Sequence, residues 1–114
     1  MIKITTSLLL ATCLTTFTCT ANLDSIPLPA EFKHSLQITD DYPLIQTGYV
    51  AQSISAVTAF YQQALGQPEL TTGDNARRTL FYTIDHNTVR ISLYVRDYTT
   101  EIAIMVTSAN QSSG

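Results

Sequence analysis

Between Ser53 and Pro68 the apolar residues recur at the helical period. Ile54, Val57, Phe60, Tyr61, Ala64 and Leu65 form one stripe over about three turns, with Ser55, Thr58, Gln62 and Gln63 largely on the wet side. Ser53 suits the N-cap, because its hydroxyl can take an orphan backbone N–H of the first turn. Gly66 is the expected left-handed stop, and Pro68 prevents continuation. The pattern predicts a helix over 53–65.

Three alternating runs follow: Leu80–Ile84, Val89–Val95 and Ile102–Val106. Polar clusters Asp85-His86-Asn87-Thr88 and Asp97-Tyr98-Thr99-Thr100 separate them, as tight hairpin turns require. A two-residue turn at His86-Asn87 pairs Ile84 with Val89, Tyr82 with Ile91 and Leu80 with Leu93. One at Tyr98-Thr99 pairs Val95 with Ile102, Leu93 with Ile104 and Ile91 with Val106. Both registers put the aliphatic set on one face, and a slip of one residue would reverse it. The runs therefore predict an antiparallel meander whose apolar face carries Leu80, Tyr82, Ile84, Val89, Ile91, Leu93, Val95, Ile102, Ile104 and Val106. Neither the helix stripe nor this face can be buried alone, so the helix is expected to lie across it. A further strand is expected near Gln46–Gln52. The fold class that results is α+β, with one helix packed on an antiparallel sheet in the order β-α-β-β-β.

The flanks read differently. Residues 1–21 carry Lys3, then an apolar run centred on Ser7–Ala11, and end in Cys19-Thr20-Ala21. That is the layout of a secretory signal peptide; the run is too short and too rich in hydroxyls for a span of roughly 20 apolar residues. Small residues before Asn22 suit cleavage to a free periplasmic or secreted protein. The alternative is lipidation of Cys19, which would tether the chain in the bacterial envelope; membrane contact is expected only in that case. Residues 22–43 hold Pro27, Pro29 and Pro43 and read as an extended arm or linker, with Leu36–Ile38 able to pair or pack. The α+β domain then covers 44–107, and 108–114 is a small polar tail expected to be disordered. Both cysteines, Cys13 and Cys19, lie in the leader, so the mature chain has no disulfide to lean on.

The segment 41–106 resembles a recurrent type of small uncharacterised bacterial envelope domain, periplasmic or lipoprotein. The residues that carry the resemblance are Tyr42-Pro43, the helix closing on Phe60-Tyr61 and Leu65-Gly66, and the three alternating runs. Such domains often have Gly-Trp after the helix, where this chain has Gly66-Gln67-Pro68. The resemblance implies the fold and the envelope setting, and brings no activity.

Hydrophobic residues make up 45% of the chain and charged ones 13%, which suits a packed domain and excludes a disordered polyelectrolyte. The six basic and nine acidic residues give a net charge of −3. Without residues 1–21 the balance is five against nine, or −4. No nucleic-acid partner is expected of such a chain. Candidate chemistry is sparse. His34 lies in the arm and His86 in a turn, too few for a zinc set. Asp40 and Asp41 are neighbours, which point apart in an extended chain rather than converging on one bond. No serine sits in a Gly-x-Ser-x-Gly elbow, and Gly48, Gly66 and Gly73 make no phosphate loop. No cofactor or metal is expected.

The second sheet face is more informative. The same parity turns Arg77, Thr79, Phe81, Thr83, Arg90, Ser92, Tyr94, Arg96, Glu101, Ala103 and Met105 away from the helix. Arg, Tyr, Phe and Met are the types enriched at interfaces. Phe81, Arg90, Tyr94, Arg96 and Met105 are therefore candidate partner-binding residues, for a protein or another envelope component. The plain alternative is a solvated face, in which Arg96 sits opposite Glu101 and Tyr94 packs between Thr79 and Ala103. A third is that the N-terminal arm covers the face. Strand 101–107, expected at the outside, has little charge and no Pro, so a homodimer through that sheet edge is a further expectation. The function expected is a non-catalytic binding or accessory module of the bacterial envelope; the alternative is a small periplasmic hydrolase or transferase.

Overall fold

The computed structural model describes residues 23–108. The leader with Cys19 and the tail beyond Ser108 lie outside the described residues. A single 3-10 turn, Leu23–Ser25, is followed by strands β1 (Lys33–Ile38) and β2 (Leu44–Val50) and helix α1 (Ile54–Leu65). Four strands complete the fold: β3 (Leu70–Gly73), β4 (Arg77–Ile84), β5 (Asn87–Arg96) and β6 (Thr99–Thr107). All six strands form one sheet in the order β1-β2-β6-β5-β4-β3, antiparallel throughout. No helix among the described residues is long and apolar enough to cross a membrane.

The helix forms where the periodicity puts it. Ser53 Oγ accepts from the Ala56 amide at 3.0 Å, and Gly66, at φ 90°, donates its N–H to the Gln62 carbonyl. Its buried face is Ile54, Val57, Thr58 and Tyr61. Thr58, expected on the wet side, is buried because its hydroxyl donates to the Ile54 carbonyl (2.7 Å) and accepts from Arg78 Nη1 of β4 (3.0 Å). Ala64 is exposed and Phe60 half-buried, so the apolar stripe is narrower than its composition. Each fully buried aliphatic or aromatic side chain contributes about 1.5–3 kcal/mol, which makes this contact the main stabiliser of the helix.

The sheet face under the helix carries the expected core. Leu80, Val89, Ile91, Leu93, Ile102 and Val106 are 0% exposed and Ile104 1%. Val95 departs from expectation: it is 45% exposed, lining a cleft of about 450 Å³ with Tyr98, Ser53 and Ile54. It lies near the end of β5, beyond the helix stripe. The other half of the face, on β2, is roofed by the N-terminal segment, whose Leu23 and Ile26 belong to the core with Leu28 and Phe32 packed against it. That segment lies on the helix side and so does not cover the Arg-and-Tyr face.

Three features differ from the order expected of the sequence. The sheet has β1 and β3 in addition to the four expected strands, giving β-β-α-β-β-β-β. Strand β6 is central, paired with both β2 and β5, so the edge proposed for homodimerisation does not exist; the edges are β1 and β3. Both turns sit one residue earlier than expected, at Asp85-His86 and Asp97-Tyr98, and the pairing moves by two residues. Asp85 and His86 both take positive φ (53° and 71°), and Asp97 takes 50°. Asp accepts that region more readily than most residues. A shift of two keeps every side chain on its predicted face.

Candidate functional site

On the side away from the helix the register aligns side chains in rows that cross the sheet. Directly opposed residues in an antiparallel pair share a face, so the rows can be followed strand by strand. One row reads Ile38, Ile45, Met105, Arg90, Phe81, Leu70. The next, two residues along, reads Leu36, Thr47, Ala103, Ser92, Thr79, Thr72. The third reads Tyr49, Glu101, Tyr94, Arg77, with Lys33 of β1 opposite Tyr49. None of these residues is buried, although four of the six strands that carry them are interior to the sheet. The middle row is small on β2, β6, β5 and β4, and hydroxyl-bearing on all of these but β6. The rows on either side are long or aromatic.

Four of the five candidate residues fall into this pattern, and Arg96 lies just beyond the third row. Phe81, Arg90 and Met105 are neighbours in one row, and the Arg90 guanidinium carbon lies 5.9 Å from the Phe81 ring centroid. Tyr94 belongs to the third row, between Arg77 and Glu101 rather than between Thr79 and Ala103, and the Arg77 guanidinium stands 5.6 Å from its ring. Arg96 is opposite Thr99 and reaches Glu101 diagonally at 3.3 Å, instead of facing it directly. Both partners of that ion pair are well exposed, which limits it to less than about 1 kcal/mol. It lies in a shallow depression of about 300 Å³ with Ser35, Tyr49 and Thr99. Thr79 and Ser92 hydroxyls are 3.4 Å apart in the middle row, midway between the two Arg–aromatic pairs.

Charge on this side runs against that of the whole chain. Lys33, Arg77, Arg90 and Arg96 face outward with Glu101 and, at the margin, Glu69, whose carboxylate accepts from the Thr83 hydroxyl at 3.1 Å. Four cations therefore meet two carboxylates on a chain of net charge −3. Among the described residues neither Arg77 nor Arg90 forms a salt bridge, although the Arg77 charge is felt by the Asp74 carboxylate just before β4. Each is held over a ring, extended and available to a carboxylate or phosphate.

Sequence reasoning did not place Tyr49, Ile45, Thr47, Leu36, Ile38 or Leu70 on this face: Leu36–Ile38 was expected only to pair or pack, the strand near Gln46–Gln52 was given no register, and β3 was not expected. The two histidines stand apart from the face. The Gln46 side-chain amide donates to His34 Nδ1 at 3.1 Å, and the Phe32 ring meets His34 edge-on at 4.9 Å. His86 is in the β4–β5 turn. Among the described residues no group of three His, Cys, Asp or Glu is placed to hold a metal ion.

Comparison with protein-family models, with curated proteins and with solved structures finds no match to this chain.

Proposed function

We propose that this chain is an exported protein of the bacterial envelope that works as a non-catalytic binding or accessory module, using the open sheet face to hold an anionic partner. One observation carries the reading: among the described residues a six-stranded sheet is covered on one side only, and its uncovered side concentrates cations on an acidic chain. A merely solvated face has no need of Tyr49 at 43% exposure, Leu70 at 54% and Leu36 at 51%. Export rests on residues 1–21, read as a secretory leader, and on the resemblance to envelope domains.

The test is site-specific photo-cross-linking in intact cells. A cross-linking side chain at Arg90 or Tyr94 is expected to trap a discrete partner, and one at Gln63, exposed on the helix, is not. Equal trapping at all three positions, or none at the face, refutes the reading.

A further inference from the structure

The middle row of the open face is small and runs between two rows of longer side chains, a register pattern that outlines a shallow trough. Successive rows on one face are two residues apart, or about 6.8 Å, so the flanking rows stand about 13–14 Å from each other. Thr47, Ala103, Ser92 and Thr79 form the floor on four adjacent strands. Ile45, Met105, Arg90 and Phe81 make one wall, and Tyr49, Glu101, Tyr94 and Arg77 the other. The wall side chains narrow that spacing further, which disfavours an α-helix of about 10–12 Å diameter. The trough admits one extended polymer chain.

We propose that the trough takes a linear acidic polysaccharide, a chain of sugar rings bearing carboxylates, with Arg77 and Arg90 as its anion clamps. This rests on the reading of the open face as an anionic-partner site. Three observations favour a glycan. First, a ligand in the trough crosses the strands at right angles and meets one floor side chain every 4.7–4.9 Å or so, about the advance of one hexose ring. An extended peptide advances about 3.3 Å per residue and falls out of step. Second, the floor backbone is committed to the sheet ladders, so it offers side-chain hydroxyls and no main-chain partners. A peptide lying across it would leave its own N–H and C=O groups without ladder partners, whereas sugar hydroxyls match Thr47, Ser92 and Thr79. Third, the walls hold Tyr49, Tyr94 and Phe81, rings suited to the apolar faces of sugars. The two guanidiniums rise from opposite walls, Arg77 beside Tyr94 and Arg90 beside Phe81, on either side of the Thr79–Ser92 pair. A carboxylate over that pair is in reach of both. A second copy of the chain is disfavoured, because two such faces would set cation against cation.

The experiment titrates the purified protein with an oligogalacturonate, its carboxyl-reduced neutral counterpart and an oligoglutamate of equal charge, read by amide NMR shifts. The oligogalacturonate is expected to bind with shifts centred on Thr47, Thr79, Ser92 and Ala103, and the neutral sugar about tenfold or more weakly. Arg77→Ala and Arg90→Ala are each expected to weaken it about tenfold, as for the loss of a charge-assisted hydrogen bond. Ala103→Phe fills the floor without altering charge and is expected to abolish binding; Thr79→Leu supplies a second obstruction if the first variant misfolds. Equal binding of oligoglutamate, or binding indifferent to a filled floor, overturns the proposal. No binding of oligogalacturonate while the cross-links at Arg90 and Tyr94 persist overturns the glycan and leaves the binding face standing. Loss of both overturns both.

Discussion

Tyr61 is fully buried at the centre of the helix–sheet contact, yet its hydroxyl meets no hydrogen-bond partner among the described residues. Tyr82, facing it from β4, is the natural control. Its hydroxyl donates to the Gly66 carbonyl at 2.8 Å and lies 3.4 Å from the Tyr61 carbonyl. An unsatisfied buried hydroxyl costs about 1–3 kcal/mol, and Tyr61→Phe removes that cost. Against it stand the contacts of one oxygen atom, at about 0.1–0.2 kcal/mol for each atom pair. The balance is a gain of about 1 kcal/mol. Tyr82→Phe loses a made hydrogen bond and is expected to cost about 0.5–1.5 kcal/mol. Urea unfolding measures both as midpoint shifts at unchanged slope, and in a domain of this size about 1 kcal/mol moves the melting temperature by about 4–8 °C. The alkaline limb supplies a second readout. Burial holds the Tyr61 phenol protonated far above its ordinary pKa of 10.0 and raises that of Tyr82 as well. Above pH 10 or so the unfolded chain has released protons that the folded chain retains, so stability is full below that pH and falls as pH rises past it. Tyr61→Phe is expected to flatten this fall. If Tyr61→Phe instead destabilises the domain as much as Tyr82→Phe, the hydroxyl is partnered and the reasoning fails.

Three further outcomes can be measured, two from individual contacts and one from the leader. A Cβ at Gly48 would run into the Phe32 ring and the Lys33 carbonyl oxygen, so Gly48→Ala is expected to cost about 1–3 kcal/mol in urea unfolding, by pushing β1 and the N-terminal segment off β2. Asp74 Oδ1 accepts from the Ala76 and Arg77 amides at 2.9 and 3.1 Å, and these two bonds, with the Arg77 charge adding, hold its carboxyl below the ordinary carboxylate range. Its contribution is present above the unfolded carboxylate pKa and lost as pH falls through the folded one, so the stability difference between wild type and Asp74→Asn is expected to shrink on acidification; a difference independent of pH refutes it. Mass spectrometry of protein recovered from cells is expected to find Asn22 at the N-terminus, and a diacylated Cys19 would place the chain on a membrane instead.

What could be read from the sequence was what leaves a period in it. The helix announced itself through a buried face, a serine cap and a glycine stop, and its bounds agree with the pattern to a residue. The three long strands did so through alternation, because one side of each is in the core. Strand β1 is exposed at every position, so only Leu36 and Ile38 hint at alternation, too short a run to mark a strand. Strand β3 is four residues long and equally exposed; it exists because Gly73, at φ 96°, and the Asp74 side chain turn the chain back onto β4. The N-terminal segment misled in a different way. Pro27 and Pro29 exclude ladder and helix there, as expected, but they do not prevent Leu23, Ile26 and Leu28 from packing irregularly over β2.

The turns show why the binding face was legible in outline and not in detail. Asn87 is the residue expected to occupy a left-handed turn position, yet it starts β5, buried, with its amide 3.5 Å from the Tyr42 hydroxyl, and Asp85-His86 make the turn. A two-residue change in pairing is invisible to any argument from parity, so inside and outside were assigned correctly while every cross-strand neighbour was not. The consequence is chemical. Arg96 pairs with Glu101 in either register, directly in the expected one and diagonally in the actual one, but in the expected register Tyr94 sits between small residues. In the actual register Arg77 faces Tyr94 and Arg90 faces Phe81, so two guanidiniums are held over rings, whereas the expected register sets Arg77 opposite Arg96 and Arg90 opposite Thr83. The small residues Ser92, Thr79, Ala103 and Thr47 fall into one row instead of being dispersed among large ones. Composition supplied the cations and the aromatics; only the register turns them into two walls and a floor, and a face of the same composition in the expected register would hold no trough.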